Sequence, residues 1–174
     1  SGICDWRVII VTGAGGGLGR EYALAFGAAG AKVVVNDINA QSAEKTVADI
    51  EDTGGEAIAN TQDITNYEQS ASIVSEAIAN FGDLHGVVNN AGICRDRMFA
   101  SMTEEEWDQV IAVHLKGHFC ISSHAVHYWR DQFKQGHKVD ARIINTSSGA
   151  GLNGSIGQSN YAAAKGGIAS LTLN

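Results

Sequence analysis

Tyr161 and Lys165, in the run Tyr161-Ala-Ala-Ala-Lys165, stand four residues apart, which on a helix makes them neighbours one turn apart. A free phenol titrates near pH 10, too high to exchange protons usefully at neutrality. An ammonium one turn away favours the phenolate, and closing the gap takes roughly 3–4 kcal/mol, within reach of a partly desolvated cleft. Alone, this spacing is common on exposed helices. About 140 residues earlier the chain carries Thr12-Gly-Ala-Gly-Gly-Gly-Leu-Gly19. Gly13, Gly17 and Gly19, with Leu18 among them, allow unusual backbone angles and let main-chain N–H groups approach a phosphate. Their spacing differs from the Gly-x-Gly-x-x-Gly dinucleotide fingerprint, and three successive glycines also fit a plain flexible turn.

Asp37 comes 18 residues after Gly19, at the end of an apolar run. In a dinucleotide fold a carboxylate there accepts hydrogen bonds from the adenosine ribose diol and repels a 2′-phosphate, which favours NAD over NADP. Residue 16 is glycine and residue 36 asparagine, so no adjacent cation offsets that repulsion. An aspartate simply ending a strand in a turn is the alternative. Asp63 and Ile64 fall where an adenine would lie, although Asp63 by itself reads first as a helix N-cap. Ser148, at the carboxyl edge of a strand, could hold a substrate oxygen against Tyr161; Ser147 competes, and either could merely close the strand through a turn. His114, seven residues past Trp107 and four past Val110, reads first as a satisfied core histidine. The other histidines lack metal-ligand spacing, no metal site is expected, and no Ser-His-Asp or Cys-His arrangement is present.

These residues need positioning, and the chain supplies the elements. Arg7–Thr12, Lys32–Asn36, Glu56–Asn60, His85–Asn90 and Arg142–Thr146 are short apolar runs that read as strands. Between them lie helical repeats: Leu18 to Ala29, stopped at Gly30; Ala43, Val47 and Ile50, closed by Gly54-Gly55; and Ile73 to Phe81, ending at Gly82. Thr103 with Glu106 makes a capping box, followed on one face by Trp107, Val110, Ile111, His114 and Leu115. Ser159 or Asn160 opens the last helix, and residues 135–140 read as a solvated loop. Alternation of this kind predicts a single α/β domain over residues 1–174, a doubly wound parallel sheet of Rossmann-like type. Together with the glycine turn and the Tyr-Lys pair, it implies a nucleotide-dependent oxidoreductase.

Bulk properties narrow the alternatives. The 174 residues are 44% hydrophobic and 18% charged with a net charge of -7, which argues against nucleic-acid or anionic-membrane partners. The longest apolar runs fall far short of the roughly 20 residues that span a bilayer. Cys4, Cys94 and Cys120 are odd in number and read as reduced thiols, hence a cytoplasmic setting; Cys94 reads as a small packing residue near the cleft. Glycine is abundant at 21 and proline is absent. The final Leu171-Thr-Leu-Asn174 lacks a helix stop signal, so the chain is expected to be a fragment with C-terminal strands missing, leaving apolar sheet surface uncovered.

The combination of Thr12–Gly19, Asp63, Asn89-Asn-Ala-Gly92, Ser148 and Tyr161-x-x-x-Lys165 resembles the short-chain dehydrogenase/reductase family, over essentially the whole chain. Ser148 precedes Tyr161 by 13 residues, the family's spacing, which selects Ser148 over Ser147. The resemblance implies Tyr161 as general acid/base, Ser148 as substrate orienter, and Lys165 holding the nicotinamide ribose. It implies cofactor contacts from Asn90, Ala91 and Gly92, with Asn90 supporting the central strands. The family usually has asparagine where this chain has His114, anchoring a water in a proton relay. Histidine also binds water and titrates near neutrality, so an altered relay is expected rather than lost activity.

Within the family, Val35-Asn-Asp37, Arg95-Asp-Arg97, Val113–Gly117 and Gly157–Tyr161 look like the (3R)-hydroxyacyl-CoA dehydrogenase domains of peroxisomal multifunctional enzymes. That likeness implies oxidation of a 3-hydroxyacyl-CoA by NAD, in peroxisomes if the source is eukaryotic. Steroid dehydrogenases and 3-oxoacyl-carrier-protein reductases are the alternatives, the latter disfavoured by Asp37, and a catalytically idle nucleotide-binding protein is the non-enzymatic one. A homo-oligomer, dimer or tetramer, joined through residues 104–130 and 160 onward, is implied as well.

Overall fold

The computed structural model describes residues 2–174. Five strands, β1 (Val8–Thr12), β2 (Lys32–Asn36), β3 (Glu56–Asn60), β4 (Gly86–Asn89) and β5 (Arg142–Asn145), form one parallel sheet in the order β3-β2-β1-β4-β5. Every β1 residue is buried. A parallel strand covered on both faces needs an unbroken apolar run, and Val8-Ile-Ile-Val supplies it. Successive side chains serve opposite faces. Ile10, with Val34 and Val87 in register, packs toward Ile73, Leu84 and Ile121; Ile9 and Val11, with Val33, Val35 and Val88, pack toward Ala23 and Ile50.

Helices α1 (Gly17–Ala28) and α2 (Ala40–Asp52) cover one face; α3 (Tyr67–Phe81) and the helix entered at Thr103 cover the other. The chain lays β1, β2 and β3 outward in one direction, then crosses through α3 to place β4 on the far side of β1. A crevice therefore opens between the carboxyl ends of β1 and β4, the place where doubly wound sheets take ligands. α3 starts at Asn66, whose side chain accepts the Gln69 N–H, and stops at Gly82, in the left-handed region at φ 85°.

One element departs from the sequence expectation. The helix entered through the Thr103–Glu106 capping box runs as α4 (Glu104–Val110), widens into a π-helical turn over Ile111–Lys116, and resumes as α5 (Gly117–Lys134). Because of the wide turn, His114 and His118 both face inward at 3% and 1% exposure, whereas Trp107 remains 36% exposed instead of continuing the buried stripe. Wide turns of this kind are frequent at functional sites. A short helix, α6 (Gly149–Asn153), and a longer one, α7 (Ser159–Thr172), complete the chain. β3 and β5 are the edge strands, and on β5 Ile144 is 52% exposed.

Candidate active site

At the carboxyl end of β1 the backbone turns at Gly13, φ 62°, into the glycine run. A methyl group on Gly13 would lie 2.7 Å from the Ala91 Cα. One on Gly19 would collide with the Gly13 carbonyl and the Asn90 amide. These two glycines let three segments meet where any side chain would wedge them apart. Thr12 binds the same junction: its hydroxyl accepts the Asn90 and Ala91 N–H groups, both at 3.0 Å. The Asn90 side chain donates to the Thr12 carbonyl at 3.3 Å, so Asn90 stitches β4 to β1. Gly16 caps α1 without a side chain, leaving the first-turn N–H groups of Gly17, Leu18 and Gly19 directed at the crevice mouth, where an anion is favoured. Leu18 itself is 64% exposed there.

Asp37 sits immediately past β2. Its carboxylate accepts the Gly15 N–H and the Asn39 N–H, both at 2.9 Å, which fixes it beside the glycine run. Each oxygen retains a lone pair for a diol. Gly15 has a role that the sequence reading missed: a methyl group there would lie 2.8 Å from the Asp37 Cγ. Arg20, the basic residue of α1, is engaged by Asp49 at 2.6 Å. A cavity of about 170 Å³ opens between Asp37, Gln62, Asp63, Ile64, Ala91 and Val113, so Asp63 and Ile64 do border the space beside Asp37. The N-cap reading of Asp63 is overturned, because Asn66 caps α3. Asp63 instead closes a turn, accepting the Thr65 N–H and hydroxyl at 2.8 and 2.7 Å.

The Tyr-Lys pair lies on α7, which is anchored by Asn160. Fully buried, Asn160 donates to the Arg95 and Glu106 carbonyls at 3.0 and 3.1 Å and accepts the Tyr161 N–H at 2.8 Å. Lys165 is 2% exposed, and its Nζ stands 5.6 Å from the centroid of the Tyr161 ring. The ammonium donates to the Thr146 carbonyl at 2.8 Å, at the end of β5. Burial lowers the Lys165 pKa from the ordinary lysine value.

Ser147 and Ser148 part company here. Ser147 spends its hydroxyl hydrogen on the Lys165 carbonyl at 2.8 Å. Ser148 only accepts, from the Ala150 N–H at 3.3 Å as the cap of α6, so its own hydrogen remains free to donate to a substrate. Gly151 lets α6 seat directly on Lys165 and Gly166, where an added methyl would lie 2.5 Å from the Gly166 nitrogen.

His114 meets the edge of the Tyr161 ring, centroids 5.2 Å apart and planes 88° apart. Its Nε2 lies 2.7 Å from the Ile93 carbonyl, while Nδ1 is buried without a partner, the one such atom among the described residues. Burial first, and then the Lys165 charge, lower its pKa. Its ring presses on Gly92, where a methyl would displace it.

Sequence reasoning missed Thr12, Gly15, Asn160 as an anchor, and His118. Thr12 and Gly15 lie inside the Thr12–Gly19 run and Asn160 inside the Gly157–Tyr161 run, whereas nothing in the sequence marked His118. Cys94 is corrected: it is exposed, not packed, because the segment after Gly92 runs outward across the surface. Among the described residues no group of histidine, cysteine and acidic side chains could hold a metal ion, and no helix is long and apolar enough to cross a membrane.

A glycine-lined turn at the switch point of a parallel sheet, with the Asp37 carboxylate beside it and a Tyr-Lys pair on the last helix, is the arrangement of a dinucleotide-binding α/β domain of dehydrogenase type. The chain belongs to the short chain dehydrogenase family, which it matches over residues 7–174. It is 49% identical to hydroxyacyl-CoA dehydrogenase ChsB1 of Mycobacterium tuberculosis, over 97% of this chain and 55% of that protein. It is 45% identical to the mouse peroxisomal multifunctional enzyme type 2, over 96% of this chain and 23% of that one. A crystal structure of a short chain dehydrogenase from Mycobacterium avium superposes with a TM-score of 0.97 at 55% identity, covering 99% of this chain and 62% of that chain. The chain thus spans about half the length of ChsB1, and less of the mouse enzyme.

Proposed function

We propose that the protein containing this chain is an NAD-dependent dehydrogenase that interconverts a secondary alcohol and a ketone, with a 3-hydroxyacyl-CoA as substrate. The observation that carries the reading is the Lys165 ammonium 5.6 Å from the Tyr161 ring, on the turn of α7 against which Gly151, in the helix capped by Ser148, is seated. The likeness to a named hydroxyacyl-CoA dehydrogenase supports the substrate class.

The residues present fit the cofactor: Gly13 and Gly19 leave space that side chains would fill, the α1 N-terminus offers free N–H groups, and Asp37 supplies a diol acceptor without a cation beside it. NAD, when bound, supplies the hydride acceptor. Gly17, Leu18 and Gly19 would hold its pyrophosphate, Asp37 the adenosine ribose, and Asp63, Ile64, Ala91 and Gly92 would line the remaining contacts. Ser148 donates its free hydroxyl hydrogen to the substrate oxygen and holds it at Tyr161. Tyr161 takes the hydroxyl proton as the carbinol hydride leaves. Lys165 balances the negative charge that develops on the phenol oxygen, and as a buried cation it does so undamped by bulk water. His114, its ring packed at right angles to that of Tyr161 and its Nδ1 without a partner, passes the proton on. Self-association through the outer face of α5, where Phe119 and Val126 are half exposed, belongs to the same proposal.

The test is a dehydrogenase assay of the full-length protein with NAD and NADP across acyl-CoA and sterol alcohols, alongside Tyr161→Phe. Turnover of 3-hydroxyacyl-CoA with NAD, lowered about 10²- to 10⁴-fold in the variant, is expected. Retention of full activity by Tyr161→Phe overturns the mechanism; turnover of sterols alone overturns the substrate.

A further inference from the structure

His118 is 1% exposed, shares the inward face of α5 with Ile121 and Ala125, and has no part in the mechanism above. The wide turn ahead of it carries its ring across to the end of β5. There its Nε2 lies 3.3 Å from the Thr146 nitrogen, whose N–H it accepts. Thr146 is also the residue whose carbonyl receives the Lys165 ammonium.

We propose that His118 is a positioning residue for the Lys165–Tyr161 pair: it grips Thr146 by its N–H and so fixes the carbonyl on which the Lys165 ammonium rests. The inference rests on the dehydrogenase reading and goes beyond it, since His118 touches neither substrate nor cofactor.

Three features support the assignment. Accepting an N–H requires the Nε2 lone pair, so His118 must be neutral with its proton on Nδ1. Its surroundings enforce that state: burial, and next the charge of Lys165, push it down to about 4 against the weaker upward pull of the His114 and Asn89 carbonyls. The groups acting on it come from its own helix (His114), from α7 (Lys165) and from β4 (Asn89), with no carboxylate among them to draw on a second proton. Finally, Lys165 makes a single hydrogen bond among the described residues, so what holds Thr146 holds the cation. The other ties on this segment act elsewhere: Asn89 reaches Asn145 at 3.0 Å and Ser147 reaches the Lys165 carbonyl. The N–H of Thr146 is left to His118.

The experiment uses the full-length protein. His118→Phe keeps the ring and removes the acceptor, whereas His118→Gln restores a neutral acceptor at the same reach. With NAD binding intact by fluorescence, His118→Phe is expected to lower kcat tenfold or more, leave KM for the acyl substrate unchanged, and move the acid limb of the pH–rate profile to higher pH. His118→Gln is expected to recover most of both. A folded His118→Phe protein with parental kcat and pH profile overturns the proposal, as does a His118→Gln protein equally impaired. Should His118→Phe not fold, the parent still decides. Nitrogen NMR of the imidazole between pH 6 and 8 is expected to show Nε2 unprotonated, and a proton there overturns the proposal. If Tyr161→Phe instead proves fully active, the dehydrogenase mechanism fails, while the tautomer result still reports on the His118–Thr146 bond.

Discussion

Lys165 Nζ stands 5.6 Å from the centroid of the Tyr161 ring while donating to the Thr146 carbonyl at 2.8 Å, so the segment after β5 that carries Thr146 and Ser148 also holds the cation beside the ring. Positioning and charge are thus coupled through one backbone carbonyl. The consequences separate activity from stability.

Lys165→Met removes a buried cation that has no acidic partner. The lost hydrogen bond and the relieved desolvation oppose each other, so unfolding free energy is expected to stay within about 1 kcal/mol of the parent. Activity is expected to fall by two orders of magnitude or more, because the charge on the phenol oxygen loses its counterion. Urea titration and steady-state kinetics on the same preparation read both; a large loss of stability would make Lys165 a structural residue.

The glycine run predicts a contrast between neighbours. Gly19→Ala drives a methyl into the Gly13 carbonyl and the Asn90 amide, whereas Gly16 has nothing within 4 Å. Gly19→Ala should cost at least about 2 kcal/mol and abolish NAD binding. Gly16→Ala should stay within about 1 kcal/mol of the parent. Equal effects in thermal melts would refute the close-approach explanation.

Asp37→Asn keeps the acceptor for the Gly15 N–H but drops the charge. The kcat/KM preference for NAD over NADP is expected to shrink tenfold or more, about 1.4 kcal/mol, with melting temperature little changed. An unchanged preference would move cofactor selection away from this carboxylate.

Stability should fall on acidification through His118. Its folded value of about 4 lies below the ordinary 6.5, so between those limits the unfolded chain binds the extra proton. The contribution is fully present above pH 6.5 and is lost as pH falls toward 4, at a cost of roughly 3 kcal/mol. Burial of His114 acts with the same sign. Unfolding free energies at pH 7 and 4.5 should differ accordingly in the parent and less in His118→Gln. A flat dependence in the parent would show that His118 is not held neutral.

His114→Asn tests the relay. Asparagine can keep a polar contact at Ile93, so activity is expected to stay within a few-fold of the parent. Complete loss would mean that the imidazole does something an amide cannot.

By itself the sequence determined the doubly wound parallel sheet, because buried parallel strands need continuous apolar runs and their helices need the 3.6-residue repeat, and both are local patterns. It also marked Gly13, Gly19, Asp37, Ser148, Tyr161 and Lys165, whose types and spacing are legible along the chain. What only the tertiary structure decided are the relations between distant segments. Thr12 binds Asn90 and Ala91 across 78 and 79 positions, the Ser147 hydroxyl is spent on the Lys165 carbonyl while the Ser148 hydrogen stays free, and Asn66 takes the cap that Asp63 had suggested. The wide turn that brings His114 to Tyr161 and His118 to Thr146 leaves no mark in local periodicity. It adds a residue to one turn, and only packing against the sheet end, where the two histidines are buried, shows which way they face.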